Sequence, residues 1–185
     1  MTNYKQYLSP DGWKRITITY DEDAESPRDW DNTCTMICFH RRYSLGDKHD
    51  FRDPGEVDHS EYFDEKKYIR FPLFLLDHSG LSIKIGSFGQ GFEWDSGQIG
   101  WIFAPKSEWL SDSDLEKIAY EEVKTYDMHL DGYVYGVTLE SKETCECCGH
   151  VEWNDEDSCC GFFGVESAME HAIELGLTEE WKESK

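Results

Sequence analysis

A chain of 185 residues with 38% hydrophobic and 15% aromatic side chains has apolar matter for one core, and predicts a single domain over residues 1–185. Its 39 carboxylates against 18 lysines and arginines leave a formal net charge of −21, a field that repels phosphates and argues against a direct nucleic-acid binder. No apolar run reaches the ~18 residues of a membrane span. Residues 1–15 show no signal-peptide pattern, and the seven cysteines are an odd number; together these predict a cytoplasmic chain with reduced thiols.

In chain order, "KRITITY" (residues 14–20) alternates and is β-branched, which predicts a strand. "TCTMICFH" (33–40) predicts a second, with Cys34, Met36, Cys38 and His40 on one face. Between them lies an acidic turn carrying Pro27, and after them a loop punctuated by Gly46, Pro54 and Gly55. "EYFDEKKYIR" predicts a short helix, and "FPLFLLDH" (71–78) a strand buried on both faces. "LSIKIGSF" completes a hairpin with it, and "QIGWIFA" (98–104) reads as another central strand.

Ser111 or Ser113, followed three residues on by an acid, opens a helix in which Leu115, Ile118, Ala119, Val123 and Tyr126 recur at helical spacing. "GYVYGVTLES" and "HVEWN" predict strands flanking a cysteine turn, and "VESAMEHAIELG" a closing helix stopped at Gly176. The elements sum to an α+β domain: a mainly antiparallel sheet of about six strands with two or three helices.

The charge is blocked. Residues 21–31 hold six acids beside Arg28 alone, residues 140–160 hold seven beside Lys142, and residues 107–131 hold eight beside Lys117 and Lys124. Such blocks set up strong local fields, and their tryptophans and tyrosines argue against disordered tails.

Residues 145–164, "CECCGHVEWNDEDSCCGFFG", hold five of the seven cysteines and predict a cysteine-rich hairpin within the domain. Three readings stay open: a structural Zn2+ on Cys145, Cys148, His150 and Cys159, with Cys147 able to replace one of them; free thiols; or a disulfide. Cys159 and Cys160 are neighbours, so on an extended chain only one of them could serve.

A second constellation gathers Asp47, His49, Asp77, His78 and Asp95, residue types suited to a metal-dependent hydrolase acting on a nucleotide or phosphoester. The one basic cluster, Arg41 and Arg42, is expected to pair with nearby carboxylates and hold the acidic turn. No P-loop, dinucleotide fingerprint or nucleophile elbow is present.

The strings "DEDAESPRDWDNTCTMICFHRRYSLGDKH", "FPLFLLDHSGLSI", "WDSGQIGWIF", "TYDMHLDGYVYG" and "DSCCGFFG", between residues 16 and 164, resemble a widespread family of small acidic proteins carried by phages, prophages and mobile elements. They are similar to a type II anti-CRISPR group. The resemblance implies a phage-encoded protein acting in the bacterial host cytoplasm by binding the CRISPR effector nuclease, or another basic nucleic-acid-binding protein. On that reading Asp21, Glu22, Asp23, Glu25, Glu152, Asp155, Glu156 and Asp157 imitate a phosphate backbone in a basic groove, and Trp30 and Trp153 anchor the contact. The competing reading is an acidic interaction module without an immune role, its charge serving solubility.

Overall fold

The computed structural model describes residues 2–92 and 94–184. Along the chain run β1 (Asn3–Leu8), β2 (Lys14–Tyr20), β3 (Thr35–Cys38), α1 (Pro54–Asp58), β4 (Tyr68–Asp77), β5 (Leu81–Ile85) and β6 (Ser96–Pro105). There follow α2 (Asp112–Leu130), β7 (Val134–Thr144), β8 (Val151–Phe163), α3 (Val165–Glu174) and β9 (Lys182–Ser184). The expected α+β class holds, with every strand pair antiparallel; the strands described number nine, in sheets of five and four. The chain divides into two compact units, residues 1–25 with 132–185, and residues 26–131. No helix among the described residues is long and apolar enough to cross a membrane.

The first unit carries the sheet β8-β7-β2-β1-β9. Period-2 alternation does the sorting: Ile16 pairs with Leu139, Ile18 with Val137 and Tyr20 with Tyr135, so these six share one face. Against that face α3 lays Ala168 and Ala172, four residues apart and fully buried, whose small side chains let the helix sit close. Fully burying Ile16 and Ile18 contributes roughly 1.5–3 kcal/mol each.

The second unit carries the sheet β3-β6-β4-β5. On one face α2 packs Leu115, Ala119, Val123 and Tyr126 against Met36, Leu73, Leu75, Ile83 and Ile102. The other face buries Ile37, Val57 and Phe103 under Phe51, Tyr62 and Phe63. This double coverage is why β6 reads as a nearly continuous apolar run. Gly100 permits the close approach of β3 and β6, since a Cβ there would lie 1.9 Å from the Ile37 carbonyl oxygen.

Ser111 caps α2, its hydroxyl accepting from the Asp114 amide at 3.2 Å and donating to the Asp114 carboxylate at 2.6 Å, as the sequence leads one to expect. Two expectations are corrected. Residues 61–70 form only a 3-10 turn at Glu61–Phe63 before β4 begins. β4 buries Leu73 and Leu75 while Pro72 is exposed, so it alternates rather than hiding both faces.

Candidate functional site

In the first unit β8 is an edge strand, and residues 154–161 are exposed throughout. A long open edge is a hazard for chance pairing, and natural sheets blunt it with charge and bulges. β8 has both: the acids of residues 152–157, and irregular register opposite Tyr135/Val137 and Leu139/Glu140. Alternation divides the acidic block. Glu152 and Asp157 pair with Glu143 and Leu139 on the α3 side, whereas Trp153 and Asp155 pair with Lys142 and Glu140 on the opposite side. Glu156 accepts from Lys14 Nζ at 2.8 Å, and that contact holds its carboxyl below the usual range.

The acidic turn joins this edge. Asp21 Oδ2 accepts from the Gly161 amide at 3.1 Å, and the Asp21 amide donates to the Val134 carbonyl at 2.9 Å. Glu22 accepts from the Thr2 hydroxyl at 3.1 Å, and Asp23 and Glu25 are exposed. The acidic turn is thus fastened to the C-terminal end of β8, four residues beyond Asp157. Trp153 is not a bare anchor. It is half-buried, with the Arg15 guanidinium 4.5 Å from its ring centroid, and Arg15 makes a two-pronged pair with the buried Glu140. Trp30 lies in the second unit, at the end of the 3-10 turn Pro27–Asp29, and is exposed.

The β7–β8 turn gathers Cys145, Cys147 and Cys148 with all three sulfurs within 4.8 Å of one another. The turn closes through the Cys145 amide on the His150 carbonyl at 2.7 Å and the Gly149 amide on the Cys145 carbonyl at 2.8 Å. Sulfur atoms of Cys145 and Cys147 stand 2.9 Å apart. Hydrogen bonds from the Cys147 thiol, then from the Cys147 and Cys148 amides, lower the Cys145 thiol to about 7, while the same shared contact raises Cys147. The four-ligand set Cys145, Cys148, His150 and Cys159 is not assembled. Cys159 sits opposite Val137, about 25 Å along the strand from Val151 at ~3.3 Å per residue, and Cys147 stands in the group instead. All seven cysteines are free thiols in this structure. Burial pushes Cys34 and Cys38 up to about 12.

The histidines and aspartates do not converge. Asp47 is taken up by Arg28, at 2.7 and 2.9 Å, and by the Met36 amide at 2.7 Å. His49 bonds the Cys38 carbonyl through Nε2 at 3.0 Å, its ring packed between Phe39 and Phe51. His78 and Asp95 pair with each other at 3.0 Å in the open, and Asp77 pairs with Arg42. Within the second unit Asp47 and His49 line one cleft, and Asp77 and Asp95 another.

Arg28, marked in the sequence only as the lone base among six acids, is the side chain that organises this unit. Its Nη1 also reaches Glu122 at 2.9 Å and its Nη2 the Cys34 carbonyl at 2.8 Å, and its side chain is 4% exposed. A lone arginine inside an otherwise acidic segment was the available signal. No protein-family model matches the sequence, and no curated protein or solved structure proves similar to it.

Proposed function

We propose that the protein is an acidic binding module whose first unit docks on the phosphate-binding surface of a basic protein. Following the resemblance stated above, that partner is the effector nuclease of a host defence system, and docking inhibits it. The observation that carries the reading is the Asp21–Gly161 bond, which fastens the start of the acidic turn to the same edge strand that carries the acids of residues 152–157. A duplex presents about one charge per 1.7 Å of axis, and carboxylates clustered on a strand and its neighbouring turn approach such a density. Because Glu152 and Asp157 face away from Asp155, the charge wraps the edge rather than coating one flat side, and suits a groove.

The three-thiol turn fits a structural zinc ion. Tetrahedral Zn–S bonds of about 2.3 Å set sulfurs about 3.8 Å apart; the three sulfurs here lie within 4.8 Å of one another, so modest side-chain rotation brings them to ligation, and His150 follows the turn in sequence as a candidate fourth donor. The ion would pin the tip of the β7–β8 hairpin and leave no position open for catalysis.

The test is capture of a purified effector nuclease at low and at high salt, with the wild type and with a variant carrying Glu152, Asp155, Glu156 and Asp157 all changed to Gln. Binding that weakens with salt and is lost in the variant supports the proposal. Salt-insensitive capture, or capture unaffected by the four substitutions, overturns it.

A further inference from the structure

In the second unit a cleft of about 750 Å3 is lined by residues 38–45, Asp47–His49 and Arg52–Pro54, within the usual range of roughly 300–1,000 Å3 for small-ligand sites. We infer that it binds a small organic phosphate of nucleotide size, with Arg41 and Lys48 taking the phosphoryl group.

The rim of the cleft is built rather than slack. Gly46 stands at φ +72°, where a Cβ would lie 2.6 Å from the Met36 carbonyl oxygen, so the loop lies tight against β3. Its amide donates to the Tyr126 hydroxyl at 3.1 Å, and the Asp47 amide to the Met36 carbonyl at 2.7 Å. With Asp47 clamped by Arg28 and His49 bonded to the Cys38 carbonyl, both flanks of Lys48 are fixed.

The charge of the cleft is the reverse of the chain's. Four of the 18 lysines and arginines fall at Arg41, Arg42, Lys48 and Arg52. Both acids in the lining face other donors: Asp47 meets Arg28, and Asp53 caps α1 by accepting from the Glu56 amide at 3.2 Å. Arg42 and Arg52 each hold one carboxylate, Asp77 and Glu56. Among the described residues Arg41 and Lys48 make no ion pair, and both are exposed. In a chain of net −21, two cations that line one cleft and make no ion pair there mark a place where an anion is received.

The walls specify what the anion is attached to. His40 and Tyr43 stack with ring centroids 5.0 Å apart and planes 5° apart, and Phe39 also lines the cleft. Arg42 lies over the Tyr43 ring, 5.4 Å from its centroid, and Phe39 packs on His49, so the face of His40 turned away from Tyr43 is the surface offered to an aromatic or sugar moiety. Beyond ~8–10 Å the chain's acids are screened, so a ligand with two charges can settle where a polynucleotide would be repelled.

The experiment titrates the isotope-labelled full chain with AMP, adenosine and inorganic phosphate, following amide shifts of residues 39–53. AMP is expected to bind, inorganic phosphate more weakly, and adenosine not at all. Arg41→Ala/Lys48→Ala is expected to weaken AMP about tenfold or more. Lys48→Gln alone, at an exposed position that cannot unfold the unit, should weaken it by a lesser factor. The inference is overturned if AMP leaves these amides unmoved, if Lys48→Gln binds AMP like the wild type, or if inorganic phosphate binds as tightly as AMP.

Discussion

Arg28 and Asp47 meet in a two-pronged pair, Nε to Oδ1 at 2.7 Å and Nη2 to Oδ2 at 2.9 Å. The guanidinium is also claimed by Glu122, whose other oxygen accepts from the Thr33 and Cys34 amides at 2.9 and 3.1 Å. Desolvation opposes the charge on Arg28, but hydrogen bonds to Asp47 and Glu122 outweigh it and raise its pKa further. One buried cation thus ties the turn before β3, the loop after it, and α2.

Removing one partner of such a buried pair costs about 3–5 kcal/mol. Arg28→Ala is expected to lower unfolding free energy by that amount in urea titration. Arg28→Lys should recover only a minor part, because an ammonium cannot reproduce the fork. A loss under 1 kcal/mol for Arg28→Ala would show the network to be dispensable.

Glycine substitutions separate close packing from open space. Gly100→Ala drives a Cβ into the Ile37 carbonyl and is expected to destabilise by about 3 kcal/mol. Gly97→Ala, on the same strand with nothing within 4 Å, should stay within about 0.5 kcal/mol. Thermal unfolding of the two variants compares them directly.

Thiol chemistry follows the lowered Cys145. A thiolate forms as pH rises through the pKa, so the rate of iodoacetamide modification should climb from pH 6, pass its midpoint near about 7, and level off above 8. Cys34 and Cys38, buried and pushed up to about 12, should react only in denaturant. Peptide mass spectrometry across the pH series reads both, and first modification at Cys34 or Cys38 would contradict the assignment.

The zinc site proposed at the hairpin tip is expected to depend on Cys147 and not on Cys159. Co2+ titration should give thiolate charge-transfer absorption in the wild type and in Cys159→Ser, and lose it or weaken at least about tenfold in Cys147→Ser. Equal spectra from the two variants would remove the three-thiol site.

Period-2 and period-3.6 patterns made most elements readable: β2, β3, β6, β7, α2 and α3 lie where Ile, Val and Ala spacing puts them. The β1, β9 and most of the β8 segments were not readable, because pairing rather than composition makes them strands. β1, "NYKQYL", carries two polar residues toward its centre and is extended by β2 on one side and β9 on the other. The β9 segment "KES" has no strand signal of its own. β8 was seen only as "HVEWN", since Asp and Asn are poor strand formers; pairing with β7 carries it through the acids to Phe163. Of the candidate sites, the cysteine cluster was visible, with Cys147 among its alternatives, but the exclusion of Cys159 was not, because its register depends on bulges. The Arg28 network joins three distant segments, which no local pattern encodes.

The chain leaves the first unit after residue 25 and re-enters it at 132, which gives biosynthesis an order of events. When β1 and β2 leave the ribosome they can form a hairpin and nothing more, and a lone hairpin is marginal in water. Their next neighbour, β7, emerges only after the whole intervening unit, sheet and long helix included. The interior segment can therefore mature first, while the opening strands stand idle for over a hundred codons. A nascent chain exposed only as far as residue 131 would present one finished body and one unclosed ribbon.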